Sequence, residues 1–227
     1  SKGFMTMDMI CKVDAEGKVI SANGPYRPSS EIKMHMRVYK LRPDVKSVVH
    51  AHPVYATAFA IAGIPLTQPI MPEAVISLGC VPIAPYGTPS TMEIPDAVEP
   101  YLEHFDAVLL ENHGALSFGD SLMNAYFKME SLEFYAKLLM FAKQLGGPKE
   151  LSDAQVQRLY EIRKKLGMTG KHPANLCQNM NNGCHAAHGA SCGSCNGSCS
   201  SHAEQTPAAS DDLVAEITKR ILAELNK

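Results

Sequence analysis

Ser47-Val48-Val49-His50-Ala51-His52 sets two histidines two residues apart behind a pair of β-branched residues, and the fold is decided by how this stretch is read. β-Branched residues pack well on a pleated surface, so it reads as a buried strand. Side chains at i and i+2 of a strand share a face, which puts the rings of His50 and His52 side by side. Two buried imidazoles need polar partners, and a metal ion supplies one to both. A third imidazole is offered by Asn112-His113-Gly114: His113 follows the apolar run Ala107-Val108-Leu109-Leu110-Glu111 and precedes a glycine, where a strand ends and the chain turns. A lone histidine at a strand end is ordinarily a hydrogen-bonded rim residue. Three that converge, with a fourth position open, have the pattern of a catalytic rather than a structural zinc site.

Working outward, Arg27-Pro28-Ser29-Ser30-Glu31 reads as the start of a helix. Ser29 and Ser30 are good N-caps, Glu31 falls in the first turn, and Ile32, His35, Met36 and Tyr39 follow at helical spacing. Free backbone N–H groups at such a start, with two hydroxyls beside them, make an anion seat. Without the histidines this is an ordinary capped helix whose acid favours the dipole. With them, phosphate seat, acid/base and metal are expected in one cleft.

Pro28-Ser29-Ser30-Glu31, His50-x-His52 and Asn112-His113-Gly114 together resemble the class II aldolase/adducin family, and within it the L-fuculose-1-phosphate aldolases, over roughly residues 1 to 165. The resemblance implies one α/β domain with a central sheet flanked by helices, and a homotetramer. It assigns one Zn2+ to His50, His52 and His113, the acid/base role to Glu31, and the substrate phosphate to Ser29 and Ser30. The implied reaction cleaves a deoxyketose 1-phosphate, fuculose or rhamnulose 1-phosphate, to dihydroxyacetone phosphate and lactaldehyde. Such a cleavage leaves an enediolate whose charge a chelating metal stabilises, and a carboxylate must move the proton. Alternatives on the same site are a pentulose-phosphate 4-epimerase or a dehydratase. A non-catalytic scaffold like the adducin head is a third, though the retained histidines and Glu31 count against it.

Several features depart from the family pattern. The chain opens at Ser1-Lys2-Gly3 without the family's first helix and Gly/Asn-rich phosphate loop, as a fragment or trimmed product would. Where those aldolases carry a tyrosine that protonates the aldehyde oxygen, Thr67-Gln68-Pro69-Ile70-Met71 has none; Glu73 is the nearest ionisable group and reads as an exposed loop carboxylate. A second tyrosine, from the family's C-terminal tail, is replaced.

The 227 residues, 45% of them hydrophobic, are ample for one α/β domain. A formal charge of −2 lacks the basic excess that a nucleic-acid surface needs, and no apolar run is long enough to span a membrane. The expected location is cytoplasmic. Periodicity predicts a βαβ-rich core: strand-like runs at Met9 to Val13 and Lys18 to Ile20, the serine-capped helix, the histidine strand, a helix from Tyr55 to Ala62, and a strand from Val81 to Ala84. A helical face then runs through Ile94, Ala97, Val98, Tyr101, Leu102 and Phe105. A long helix over Ser121 to Leu145 carries a Met and aromatic stripe suited to core or subunit interface, and Ser152 caps a last helix through Leu166.

Residues 1–168 form the expected domain. From 169 to 210 the chain is rich in Asn, Gly, Ser and Ala and reads as a flexible linker. It holds five of the seven cysteines, Cys177, Cys184, Cys192, Cys195 and Cys199, with His185 and His188 nearby. Their spacing lacks two well-formed ligand pairs, so redox-labile thiols are favoured over a metal site. Residues 211–227 are helical in pattern again, with Leu213, Ile217, Ile221 and Leu225 on one stripe. A short amphipathic helix on a long tether resembles the encapsulation peptides of bacterial microcompartment enzymes, which implies shell or cargo proteins as partners and the compartment lumen as its place. Packing on its own domain or in a bundle between subunits are the alternatives.

Overall fold

The computed structural model describes residues 2–173. A small hairpin comes first. Strands β1 (Lys12–Val13) and β2 (Val19–Ser21) pair antiparallel around a turn in which Asp14 Oδ1 accepts from Glu16 N at 3.1 Å and Lys18 N at 2.8 Å. The expected strand start at Met9 is instead the end of a 3-10 turn, Met7–Met9.

The main domain runs α1 (Ile32–Leu41), β3 (Ser47–Ala51), α2 (Val54–Ile61), α3 (Pro72–Ser77), β4 (Ile83–Ala84), α4 (Glu93–Val98), β5 (Ala107–Leu110), β6 (Gly114–Gly119), α5 (Leu122–Gln144) and α6 (Asp153–Lys165). Four strands form one sheet in the order β3-β6-β5-β4. β6 pairs antiparallel with both β3 and β5, and only β4 and β5 are parallel, joined by the α4 crossover. The fold is therefore α/β with a central sheet flanked by helices, as expected, but the sheet is mixed and mostly antiparallel rather than built from βαβ units. The difference comes from β6. Gly114-Ala115-Leu116-Ser117-Phe118-Gly119 has glycine at both ends and serine inside, which reads as a turn, yet it is buried throughout as the strand between β3 and β5.

Strand alternation sends the two faces to two cores. Ala107, Leu109 and Ala115 pack with α2, α3 and α5 through Ala56, Phe59, Leu132 and Ala136. Val48, Val108, Leu110, Leu116 and Phe118 pack with α1 and α4 through Met34, Val38, Ile94 and Val98. The buried side of α1 is thus Met34 and Val38, while His35 and Met36 of the expected apolar stripe are only half-buried. The helical face from Ile94 onward is also shorter than expected: α4 stops at Val98 and tightens to a 3-10 turn, Glu99–Tyr101, with Pro100 inside it. Helix α5 has the expected span and is capped by Ser121, whose hydroxyl accepts from Asn124 N at 3.2 Å. Its Met and aromatic residues divide, with Met129, Leu132 and Tyr135 buried and Phe127, Phe134 and Phe141 exposed. Ser152 and Gln155 form a capping box on α6.

Asp106, at the mouth of β5, sits buried between Arg42 at 2.7 Å and Lys128 at 2.6 Å and joins the end of α1 to α5. Packing continues past residue 168. Thr169 Oγ1 donates to Asp120 Oδ2 at 2.8 Å, and the His172 ring bonds Val75 O at 2.7 Å. No helix among the described residues is long and apolar enough to cross a membrane. The rest of the expected linker, its five cysteines and the whole of 211–227 lie outside the described residues.

Candidate metal centre

Three elements deliver the three imidazoles to one end of the sheet. His50 is in β3 opposite Leu116 of β6, His52 is one residue past the end of β3, and His113 closes the turn between β5 and β6. The ring centroids are mutually 4.9 Å apart, and one ring nitrogen from each lies within 4.8 Å of the others. Sequence reading predicted this triad, and the structure brings it together. The turn explains the Asn-His-Gly order. Asn112 has φ of +56°, a left-handed conformation that asparagine tolerates better than most residues. Gly114 makes room for the partner ligand: a Cβ there would lie 2.6 Å from His52 Cδ2 and 2.6 Å from Ala51 O.

The donor set fits a divalent metal. His50 Nδ1 lies 3.0 Å from Ala115 O, a pure acceptor, so Nδ1 carries the proton and Nε2 presents its lone pair. Burial, followed by the neighbouring imidazoles, pushes the His50 pKa down to about 4, which keeps the ring neutral near pH 7. The Nε2 atoms of His50 and His52 are 3.2 Å apart. Nitrogens bound tetrahedrally to zinc at about 2.0–2.1 Å stand about 3.3 Å from one another, so this spacing is that of a ligand pair.

Glu31 and the serines lie at the start of α1, and the cap differs from expectation. Glu31 itself is the N-cap residue, with its side chain uninvolved in capping, and Ser29 Oγ accepts from Glu31 N at 3.3 Å. Ile32 N and Met34 N donate to Ser29 O and Glu31 O, each at 3.1 Å. Serine hydroxyls readily form such local turns in competition with a true cap, and the result leaves the Glu31 carboxylate for other use. Glu31 is half-buried; Ser29 and Ser30 are exposed. The ligand group among the described residues is the three histidines alone, and Glu31 is not part of it. His35, in the first turn of α1, is among the neighbouring imidazoles whose charge acts to lower the His50 pKa.

Glu111 was read only as the end of a strand. Its carboxylate accepts from Tyr86 N at 2.8 Å and its own N–H donates to Ala84 O at 3.1 Å, which ties the exit of β4 to the turn that carries His113. Glu73 is exposed as expected, but on the first turn of α3 rather than in a loop, because Pro72 starts a helix there.

The family described as "Class II Aldolase and Adducin N-terminal domain" matches residues 1–140. The chain is 38% identical over 136 residues to an L-fuculose phosphate aldolase of Methanococcus vannielii, a match that covers 60% of this chain and 71% of that protein. It is 32% identical over 141 residues to a 3-oxo-tetronate 4-phosphate decarboxylase of Pectobacterium atrosepticum, covering 60% of this chain and 63% of that one. Among solved structures, an L-fuculose 1-phosphate aldolase superposes with a TM-score of 0.64 at 32% identity, over 71% of this chain and 75% of that chain. Since the matched stretch takes in Glu31 and all three histidines, fold and ligand group together make this chain a member of the class II aldolase and adducin family.

Proposed function

We propose that this protein is a metal-dependent aldolase, a carbon–carbon lyase, acting on a short deoxyketose 1-phosphate such as fuculose or rhamnulose 1-phosphate. Its products are dihydroxyacetone phosphate and lactaldehyde. The observation that carries the reading is the convergence of three imidazole nitrogens within 4.8 Å at one end of the sheet. His50, His52 and His113 hold the metal, zinc in this reading. When bound, it supplies Lewis acidity that stabilises the negative charge developing as C3–C4 breaks. The exposed hydroxyls of Ser29 and Ser30 seat the substrate phosphate at the start of α1. A phosphate held there brings the three-carbon fragment beside Glu31. As the C3–C4 bond breaks, the C4 hydroxyl passes its proton to solvent and its oxygen becomes the aldehyde carbonyl, while Glu31, protonated from solvent, delivers its proton to C3; in the reverse direction the Glu31 carboxylate removes that proton.

A second reading draws on the Pectobacterium relative. Loss of carbon dioxide from a 3-oxo acid phosphate also leaves negative charge on a carbon beside a carbonyl, so the same residues would serve. Epimerase and dehydratase chemistry starts from similar charge, and a scaffold would turn nothing over. Incubation of the zinc-loaded chain with a panel of ketose phosphates and 3-oxo acid phosphates decides among them. Dihydroxyacetone phosphate with lactaldehyde supports the aldolase; carbon dioxide, an epimer, or no product across the panel rejects it.

We also propose the division into a catalytic domain at 1–168, on which Thr169 and His172 still pack, a tether over the rest of 169–210 and a targeting helix at 211–227 that addresses the enzyme to a microcompartment shell. The exposed aromatic residues of α5 support subunit contacts in a homotetramer. The targeting proposal rests on sequence pattern. A fluorescent protein fused to 211–227 should gather at shells, and a diffuse signal would reject the address.

A further inference from the structure

We infer that Glu133, in the middle of α5, is a positioning residue for the metal site: it clamps the first turn of α2 and thereby fixes His52. The inference rests on reading the three histidines as a metal centre. His52 lies between the last residue of β3 and Pro53, the N-cap of α2, so it has no ladder partner of its own. Pro53 has no side-chain acceptor, which leaves the opening N–H groups of α2 to be satisfied from elsewhere. Tyr55 N donates to Glu133 Oε1 at 3.0 Å and Ala56 N to Oε2 at 2.8 Å. Both carboxylate oxygens are thus engaged at the positive end of a helix, where a charged acceptor binds most firmly. Thr57 N donates to Pro53 O at 2.8 Å, so the clamp reaches the residue next to His52 through the first bond of the helix.

The other side of His52 has little slack, since even a methyl group on Gly114 would press on its ring. Core packing of Ala56, Phe59 and Ala60 against Met129, Leu132 and Ala136 holds α2 to α5 broadly. The carboxylate adds what packing of small apolar groups does not: a fixed direction for the first turn, and so for the chain that leaves His52. Loss of residues that orient metal ligands typically costs about 10- to 100-fold in affinity.

Cobalt(II) titration of the full chain, followed by visible absorption, tests this. Glu133→Ala, Glu133→Gln and Glu130→Ala are compared with wild type, and His50→Ala supplies the background from metal bound elsewhere. Glu130 is exposed on the same helix and makes no bond to α2 among those of Glu133. The expected result is wild-type affinity and spectrum for Glu130→Ala, a roughly 10- to 100-fold weaker site with an altered ligand-field band for Glu133→Ala, and an intermediate loss for Glu133→Gln. Circular dichroism confirms that each remains folded. Unchanged affinity and band shape in Glu133→Ala would overturn the inference while leaving the metal centre intact. If Glu133→Ala does not fold, Glu133→Gln decides: a wild-type site overturns the inference and a weakened one supports it. Failure of wild type to bind cobalt above the His50→Ala background would remove the metal centre itself, a separate outcome.

Discussion

The histidine end of the sheet and the start of α1 are built to different tolerances. His50 is locked by strand register and by its bond to Ala115 O, His113 by a left-handed asparagine and the Glu111 tie, and His52 by the space at Gly114. Glu31, Ser29 and Ser30 stand at a helix end held by a hydroxyl contact of 3.3 Å and two turn bonds. A metal needs its donors fixed to a few tenths of an ångström, and a buried antiparallel strand provides that. A group that takes up and releases protons needs access and some freedom, and a half-exposed helix cap provides those. Variants should separate the two regions cleanly.

The largest effect is expected at the rigid end. His50→Ala removes one of the three histidines that alone make up the ligand group among the described residues, so metal analysis of the purified protein should find the site empty in a folded domain and turnover at background. At the other end, Glu31→Gln should leave metal content unchanged and slow turnover by about 10²- to 10⁴-fold, because only the proton transfer is lost. Steady-state rates and metal content measured on one preparation check both halves; an active Glu31→Gln enzyme would mean that the residue merely starts a helix.

Gly114→Ala is a finer probe of rigidity. Its methyl group would lie 2.6 Å from His52 Cδ2 and from Ala51 O, so a ligand or the strand must shift. Metal affinity should fall about 10-fold or more, the size expected when ligand orientation is disturbed. An affinity equal to wild type would show the histidine end to be more forgiving than its packing implies.

Acid gives the smallest and broadest effect. Burial pushes both His50 and the distant His172 down to about 4 from the ordinary value of 6.5. The unfolded chain therefore binds protons first as pH falls, and stability present above pH 6.5 is lost progressively toward pH 4. Denaturant melts of the metal-free protein should show this slope. His172→Gln should flatten part of it without touching metal content, whereas His50→Ala should flatten it and abolish the metal. A slope unchanged in His172→Gln would mean that this ring is not kept neutral by the fold.

Much of the rigid end was legible in the sequence because strand periodicity and a strand-end turn constrain side-chain direction strongly. His50-x-His52 and His113 were placed by local pattern alone, while their meeting depended on β6, whose glycines and serine hid a buried strand. The sheet order was hidden for the same reason. The soft end was legible in type but not in detail: a helix start was recognisable, yet whether Ser29, Ser30 or Glu31 caps it is settled by differences on the order of 1 kcal/mol that tertiary contacts override. His35 and Glu133 could not be assigned from sequence, since each acts across a gap between elements. Glu133 meets residues 77 and 78 positions away, and no local pattern reports that.

The most direct measurement is anomalous diffraction at the zinc absorption edge from crystals of the zinc-loaded protein. A peak within about 2.0–2.2 Å of one ring nitrogen from each of His50, His52 and His113, with Glu31 outside its coordination sphere, is the expected result. A map with no peak among the three rings, or with zinc bound only elsewhere in the chain, would contradict it.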